Sequence, residues 1–169
     1  MLSFTNLALR RGSNLLFEEV SLTIHQDKKV GFVGANGSGK TSLFKLNLGE
    51  LEIDQGNLVF PSSLRISHLA QEVPSTEELS LDYVLAGDQK LFQVSQDIKQ
   101  AEEQKEYEKL GDLHNLFETL DGYSSQSKAE QLMVGLGFSQ GDFQKSIKSF
   151  SGGWRVRLNL ARTLMQPSD

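Results

Sequence analysis

The sequence has no cysteine, only three prolines, no long apolar run and no excess of basic residues. The lack of cysteine excludes a disulfide framework and a thiolate metal site. Few prolines and a hydrophobic fraction of 38% indicate a folded protein rather than a disordered one. No stretch approaches the roughly 20 apolar residues that cross a bilayer, so we expect no transmembrane segment. The N-terminus also lacks the basic and apolar parts of a signal peptide, which favours a cytoplasmic protein.

The net charge and the length of the chain narrow the possible classes of protein further. A net charge of −5 and a pI near 5.2 argue against a protein coated in positive charge for nucleic-acid binding, although a local basic patch stays possible. The three histidines are scattered without the spacing of a metal site. A chain of 169 residues suits one domain, or one domain with a small subdomain.

The most informative stretch runs from Gly34 to Ser42 and reads GANGSGKTS. The apolar run before it, Val30 to Val33, predicts a buried strand, and the apolar spacing after it predicts a helix. Strand, glycine loop and helix in this order are the context of a phosphate-binding loop, and the spacing fits G-x-x-x-x-G-K-[ST] in full. The stretch therefore predicts that the chain binds a nucleoside triphosphate.

Each residue type in this loop has a physical reason. Glycines allow the backbone to point successive N–H groups at one anion, and the helix that follows adds its free N-terminal donors. Lys40 can reach the β- and γ-phosphates, the Thr41 hydroxyl can ligate Mg²⁺, and Ser42 offers a second hydroxyl. The candidate nucleotide-binding residues in the loop are Gly34, Asn36, Gly37, Ser38, Gly39, Lys40, Thr41 and Ser42.

The rest of the chain divides into a strand-rich part and a helix-rich part. Strands are predicted over residues 2–9, 15–24, 57–60 and 64–69. Helical spacing takes over from about residue 75 to 137, with helices near 79–85 and 127–136. Between them, two apolar stripes flank a charged stretch at residues 102–106, which fits either one long helix or a hairpin of two helices. The stripe breaks phase there, and this favours the hairpin.

A second motif lies near the end of the chain. Ser151-Gly152-Gly153 directly precedes an amphipathic helix, where a serine and two glycines can form an anion site. Alone it is a weak signal, since Ser-Gly-Gly before a helix is often only a cap. Several basic residues nearby could face RNA or pair with local carboxylates: Lys145, Lys148, Arg155, Arg157 and Arg162.

Together, the two motifs resemble those of ATP-binding-cassette (ABC) ATPases, whose signature is of the Leu-Ser-Gly-Gly-Gln type. Gln71 falls where that family has its glutamine loop, and the resemblance implies that Gln71 contacts Mg²⁺ and the attacking water. It also implies that Ser151, Gly152 and Gly153 contact ATP held by a second cassette. The expected fold is an α/β P-loop NTPase core with N-terminal antiparallel strands and an inserted helical subdomain.

Details of the sequence look like the ABC-F subfamily. Trp154 stands where transporters usually have Gln, and residues 155–161 are similar to ABC-F proteins. The long gap between Gln71 and Ser151 leaves room for the ABC-F arm, here the hairpin near 88–120. We expect a nucleotide-binding core over 1–74, a helical subdomain over 75–148, and a signature segment over 149–169 that returns to the core.

The resemblance implies an ATP hydrolase that uses ATP and Mg²⁺, is soluble and ribosome-associated, and couples ATP binding and hydrolysis to translation. One alternative is the ATP-binding subunit of a transporter, docked on a membrane permease. Another is a non-catalytic module in which nucleotide only orders the arm.

Two departures from the family pattern matter. The position of the adenine-stacking aromatic falls near Arg11, which can stack through its guanidinium, with Phe17 as a possible substitute. The strand that ends in the Walker B Asp-Glu does not occur within residues 1–169. We therefore expect these residues alone to bind nucleotide weakly without hydrolysing it.

Overall fold

The computed structural model of the chain describes residues 1–70 and 73–168. The chain divides into two compact units, Met1–Ile66 and Ser67–Asp169. The first unit contains the strands and the glycine loop, and the second contains five of the helices. The predicted division at residues 74 and 148 stays a prediction.

The first unit is built on a three-stranded antiparallel sheet in the order β2-β1-β3. Its strands are β1 (Leu2–Arg11), β2 (Asn14–Ile24) and β3 (Gln55–Val59). Gly12 has a φ of 61° in the turn between β1 and β2, a conformation that glycine adopts readily. The predicted N-terminal strands are thereby confirmed.

Helix α1 (Lys40–Asn47) follows the glycine loop in the same unit. Its residue Leu46 is buried in one cluster with Phe4 and Leu7 of β1, and half-buried side chains from β2 and β3 surround them. Burial of this apolar surface holds α1 against the sheet.

Two of the predicted strands are wrong. Residues 30–33 and 64–69 are not in strands, and Val33 is 96% exposed. A buried strand needs hydrogen-bonded neighbours and packing on both faces. Among the described residues, β1 to β3 pair only with one another, so the run at 30–33 has no ladder partner. Within this run, the ring of Phe32 contacts the ring of Phe44 in α1 edge to face, with the two ring centroids 5.9 Å apart.

The second unit is helical. Its helices are α2 (Ser80–Leu85), α3 (Gln89–Gln104), α4 (Tyr107–Thr119), α5 (Gly122–Gly135) and α6 (Gly152–Met165). Helix α5 begins earlier than predicted, after Asp121 in the left-handed conformation. Within the described part of the chain, no helix combines the length and hydropathy that a membrane span requires.

Helices α3 and α4 form the predicted hairpin. The chain reverses at Lys105, whose φ of 60° places it in the left-handed region and ends α3. The predicted apolar stripe of α3 is buried: Leu91, Val94, Ile98 and Ala101. No residue of α4 is fully buried, and its apolar stripe is half-buried. The two helices therefore share the narrow apolar seam that the sequence predicted.

The core of the second unit lies where α2, α5 and α6 meet, around Val84, Met133 and Leu158. Backbone hydrogen bonds also join residues 76–81 to residues 143–148. Short 3-10 turns at Gln140–Asp142 and Ile147–Ser149 lead into α6. This packing fixes the start of α6, where the second motif lies.

Candidate nucleotide-binding site

The glycine loop ends in backbone conformations that only glycine adopts freely. Gly37 has a φ of 82° and Gly39 a φ of 93°, and Gly39 is the residue that caps α1. No side chain caps this helix end, so its first N–H groups are left to an outside acceptor. With the positive end of the helix dipole, these amides form a site for an anion.

The side chain of Lys40 folds back onto the start of the glycine loop. Its Nζ donates to the carbonyl oxygens of Gly34 at 2.6 Å and Ala35 at 2.7 Å. The loop also turns through a hydrogen bond from the Ser38 amide to the Ala35 carbonyl. The ammonium thus lies across the loop, over the backbone that would surround a phosphate group.

Two of the glycines have close neighbours where a side chain would begin. A Cβ on Gly34 would lie 2.7 Å from Oγ of Ser38, and a Cβ on Gly39 would lie 2.9 Å from Cε1 of Phe17. Both distances are shorter than real Cβ contacts, so an added methyl group would require the Ser38 hydroxyl or the Phe17 ring to move. The loop is therefore a cradle that side chains would fill, and its donor set fits a triphosphate.

The hydroxyl-bearing residues after Lys40 differ in exposure. Thr41 is exposed, as a Mg²⁺ ligand has to be, whereas Ser42 is only 5% exposed. Asn36 and Ser38 are exposed on the loop itself. Gln71, the predicted catalytic and metal-contacting residue, lies outside the described residues.

The two candidates for stacking on the base occupy different places. Arg11 is exposed at the end of β1, where it pairs with Asn14 across the turn. Phe17 is half-buried in β2, and its ring is the one that approaches Gly39 of the phosphate loop.

The second motif forms the start of α6. Ser151 precedes the helix in an extended conformation without a side-chain cap, and Ser151, Gly152 and Gly153 are all exposed. Ser151 borders a cavity of about 310 Å³, whose lining comprises Asp142, Lys145, Ser149, Phe150, Ser151 and Trp154. This helix end offers backbone donors and a hydroxyl to an anion that approaches from outside the unit.

A known protein family matches most of the chain. The profile described as "ABC transporter" matches residues 17–169. The chain belongs to the ABC transporter family. Over its whole length it is 43% identical to the "Probable ATP-binding protein YheS" of Haemophilus influenzae, and over 94% of its length 32% identical to the mouse "ATP-binding cassette sub-family F member 2". The predicted resemblance to ABC-F proteins is confirmed.

Solved structures agree on the fold. A putative ABC transporter ATP-binding protein from Pyrococcus furiosus aligns with 99% of this chain and 72% of its own, with a TM-score of 0.68 and 18% identity. A dimeric bacterial ABC transporter cassette aligns with a TM-score of 0.63 at 14% identity, over 98% of this chain and 69% of its own. The predicted α/β P-loop NTPase fold is confirmed. The chain spans about a quarter of the length of the curated relatives it matches.

Trp154 of this ABC cassette lies in an aromatic cluster. Its ring packs against Phe138 with centroids 4.8 Å apart, and Phe138 also meets Phe150 at 5.6 Å. The guanidinium of Arg157 covers the indole and donates to the Leu136 carbonyl at 3.2 Å. The residue that replaces the usual Gln of the signature therefore joins the start of α6 to the end of α5.

Asp142, at the cavity beside the signature, is held as a carboxylate. It accepts hydrogen bonds from Lys145 Nζ at 2.7 Å and from the hydroxyl and amide of Ser139. The hydrogen bond from Lys145, followed by those from Ser139, lowers the pKa of Asp142 from 3.8 to about 2. The sequence held a signal for this group, because Ser139-x-x-Asp142 has the spacing of a capping box.

Most of the basic residues near the signature contact carboxylates or aromatic rings of the same unit. Lys145 pairs with Asp142 and Lys148 with Glu77, as the carboxylate interpretation expects. Arg157 and Arg162 instead cover the rings of Trp154 and Tyr83 at 4.7 and 4.4 Å. The Nε of Arg155 is buried without a hydrogen-bond partner among the described residues. Four of the five basic residues, Lys145, Lys148, Arg157 and Arg162, thus have partners within the unit.

Sequence reasoning missed two buried polar residues of this unit. Asn159 of α6 and Tyr83 of α2 are 4% and 2% exposed and hydrogen-bond to each other at 3.1 Å. The signal in the sequence is Asn159, a polar residue beside the apolar stripe of α6. Helical spacing alone predicts a surface position for it.

Proposed function

We propose that the chain is the ATP-binding part of an ABC-F-type ATPase, which binds Mg-ATP and, in the full-length protein, couples ATP binding and hydrolysis to translation on the ribosome. The observation that carries the proposal is the position of Lys40 across a cradle of glycine backbone. A lysine that reaches across the loop, at the start of a helix with free N-terminal amides, is the donor arrangement that β- and γ-phosphates require. The family of the chain and its ATP-binding relatives support the same conclusion.

The proposed roles of the loop residues follow from their chemistry. The amides of Gly37 to Ser42 and the ammonium of Lys40 bind the phosphates, and Gly34 leaves room for the loop to close. Thr41 and Gln71 contact Mg²⁺, and Gln71 orients the attacking water. When bound, Mg²⁺ neutralises charge on the phosphates.

The proposed base contact is shared between Arg11 and Phe17. By its position in the sequence, Arg11 is the first candidate for stacking on the base, because its guanidinium can stack on an aromatic ring. Phe17 gains support from its approach to Gly39. We propose that ATP is the nucleotide, on the strength of the family rather than of a base-reading contact.

The signature residues Ser151, Gly152 and Gly153 are proposed to contact ATP held by a second cassette. Their exposure and the uncapped start of α6 support this role. One solved structural neighbour is described as a dimeric cassette. We also propose that residues 1–169 alone do not turn ATP over, because Walker B residues do not occur in them. A steady-state ATPase rate that disappears in Lys40→Ala would defeat this part.

We propose that the α3–α4 hairpin, within residues 88–120, is the arm that contacts the ribosome in the cytoplasm. Asp and Glu outnumber Lys in this range, which contains no Arg. Docking is therefore not driven by neutralisation of RNA phosphates, and its salt dependence should be shallow.

The test is co-sedimentation of the full-length protein with ribosomes, with and without ATP. The proposal expects ATP-dependent pelleting that is lost when residues 88–120 are replaced by a short linker. Lys40→Ala serves as the nucleotide-binding control. Pelleting that ignores both changes, or capture of a transmembrane permease instead, would contradict the ribosome proposal.

A further inference from the structure

The amide of Asn159 is buried with both of its ends hydrogen-bonded. Its Nδ2 donates to the carbonyl oxygen of Ala70 at 2.7 Å, and its Oδ1 accepts from the phenol of Tyr83 at 3.1 Å. The orientation of the amide is fixed by chemistry, because a backbone carbonyl can only accept a hydrogen bond. Asn159 therefore links α6 to the segment of chain that ends directly before Gln71.

A second hydrogen bond joins the same segment to α6 one turn further along the helix. The hydroxyl of Ser67 donates to the Thr163 carbonyl at 3.1 Å. Thr163 in turn donates its hydroxyl to the Asn159 carbonyl at 2.8 Å. Residues 67–70 are thus attached to α6 at two points, although they belong to no helix or strand.

The hydrogen bonds of Asn159 define the positions of its neighbours more narrowly than apolar packing alone would. An apolar side chain of similar size would fill the position of Asn159 without the cost of burying an amide. A fully satisfied buried amide instead defines one position for the groups it joins. Tyr83, which donates to Asn159, is itself held in place, since it is 2% exposed and Arg162 covers its ring at 4.4 Å.

We propose that Asn159 is a positioning residue that fixes the chain leading into Gln71 to the helix that begins at Ser151–Gly153. The inference rests on the proposed function, in which Gln71 and the signature both contact nucleotide. Its consequence is that residues 67–70 and the signature move as one body, because Asn159 and Thr163 of α6 hold these residues and the same helix begins at the signature.

The test compares Asn159→Leu with Ser80→Ala by hydrogen exchange of the nucleotide-free chain. Leu fills the volume of Asn159 but makes neither hydrogen bond. Ser80 is a matched control, since it is also a fully buried donor in the same unit but bonds to the carbonyls of Asp142 and Phe143. The proposal expects about tenfold faster exchange at residues 67–70 in Asn159→Leu, and no local change there in Ser80→Ala.

Equal acceleration in both variants, or none in Asn159→Leu, would overturn the proposal. If Asn159→Leu does not fold, Ser67→Ala decides, because it removes the second attachment at a part-buried site. The proposal then expects about threefold faster exchange at residues 67–70, and unchanged exchange contradicts it.

A kinetic readout separates positioning from general destabilisation. In the full-length protein, Asn159→Leu should lower kcat about tenfold and leave the KM for ATP within about twofold, because Lys40 and its loop are untouched. The same loss of kcat in Ser80→Ala would overturn the role of Asn159. Absence of any ATP binding by the wild-type protein would defeat the proposed function, while the exchange result would still decide the attachment.

Discussion

The guanidinium of Arg157 lies over the indole of Trp154, with 4.7 Å from its central carbon to the ring centroid. Because the same guanidinium donates to the Leu136 carbonyl, the pair connects the signature helix to the turn that ends α5. Gly137 in that turn has a φ of 95°, and a Cβ there would lie 3.2 Å from Nη1 of Arg157. A side chain at this position would therefore press on the Arg157 guanidinium as well as strain the backbone.

Replacing Trp154 with Gln, the usual residue of transporter signatures, should destabilise the chain. The change removes the ring contact with Phe138 and the surface that Arg157 covers, so we expect about 2 kcal/mol less free energy of unfolding. Urea unfolding followed by circular dichroism measures it. Trp154→Phe keeps an aromatic ring and should lose less. Equal stability of the Gln variant and the wild type would show that the cluster contributes nothing.

Gly39→Ala should damage the phosphate loop more than a matched glycine change elsewhere. Both Gly39 and Gly12 have positive φ, but only Gly39 has a neighbour, Phe17, within 3 Å of its added Cβ. We expect Gly12→Ala to cost about 1 kcal/mol through backbone strain alone, and Gly39→Ala to cost more. Nucleotide affinity should fall only in Gly39→Ala. Similar losses of stability and affinity in both variants would refute the close-contact argument.

Gly111 in α4 and Gly122 at the start of α5 should respond to the same change in opposite directions. Gly111 in α4 has open space around its added Cβ, whereas a Cβ on Gly122 would lie 2.6 Å from ring atoms of Phe117. Gly111→Ala should stabilise by up to about 1 kcal/mol through helix propensity, and Gly122→Ala should destabilise. Thermal unfolding of the two variants checks the signs. Stabilisation by both changes would mean that the Phe117 ring does not lie against Gly122.

Stability should depend on pH through Asp142. Its pKa is lowered on folding, so the carboxylate contributes stability above the unfolded pKa of about 3.8 and loses it as pH falls towards about 2. Asp142→Asn should therefore flatten the fall in unfolding free energy between pH 4 and pH 2. Denaturant titrations at several pH values give the slope. An unchanged slope in Asp142→Asn would assign the acid sensitivity to other carboxylates.

The helical hairpin and the phosphate loop could be predicted from the sequence because both are local. The α3 stripe at Leu91, Val94, Ile98 and Ala101 follows from helical spacing, and the loop follows from glycine and lysine at fixed separations. The interpretation failed where structure depends on distant partners. Residues 30–33 have strand composition, but a strand forms only where a neighbouring strand supplies its hydrogen bonds.

The same limit applies to the polar side chains of the second unit. The link from Asn159 to Ala70 spans 89 positions, and no spacing rule connects two such residues. Asp142 was within reach of sequence reasoning, since its partner Ser139 lies three positions away. The local sequence pattern did not predict the contact between α6 and residues 67–70.

Calorimetric titration of the chain with Mg-ATP tests the central claim most directly. The controls are Lys40→Ala and Lys45→Ala, two changes in the same helix of which only the first removes the ammonium over the loop. The account predicts binding by the wild type and Lys45→Ala, and at least about tenfold weaker binding by Lys40→Ala with an unchanged unfolding curve. Absence of binding by the folded wild type, or equal affinity in Lys40→Ala, would contradict it.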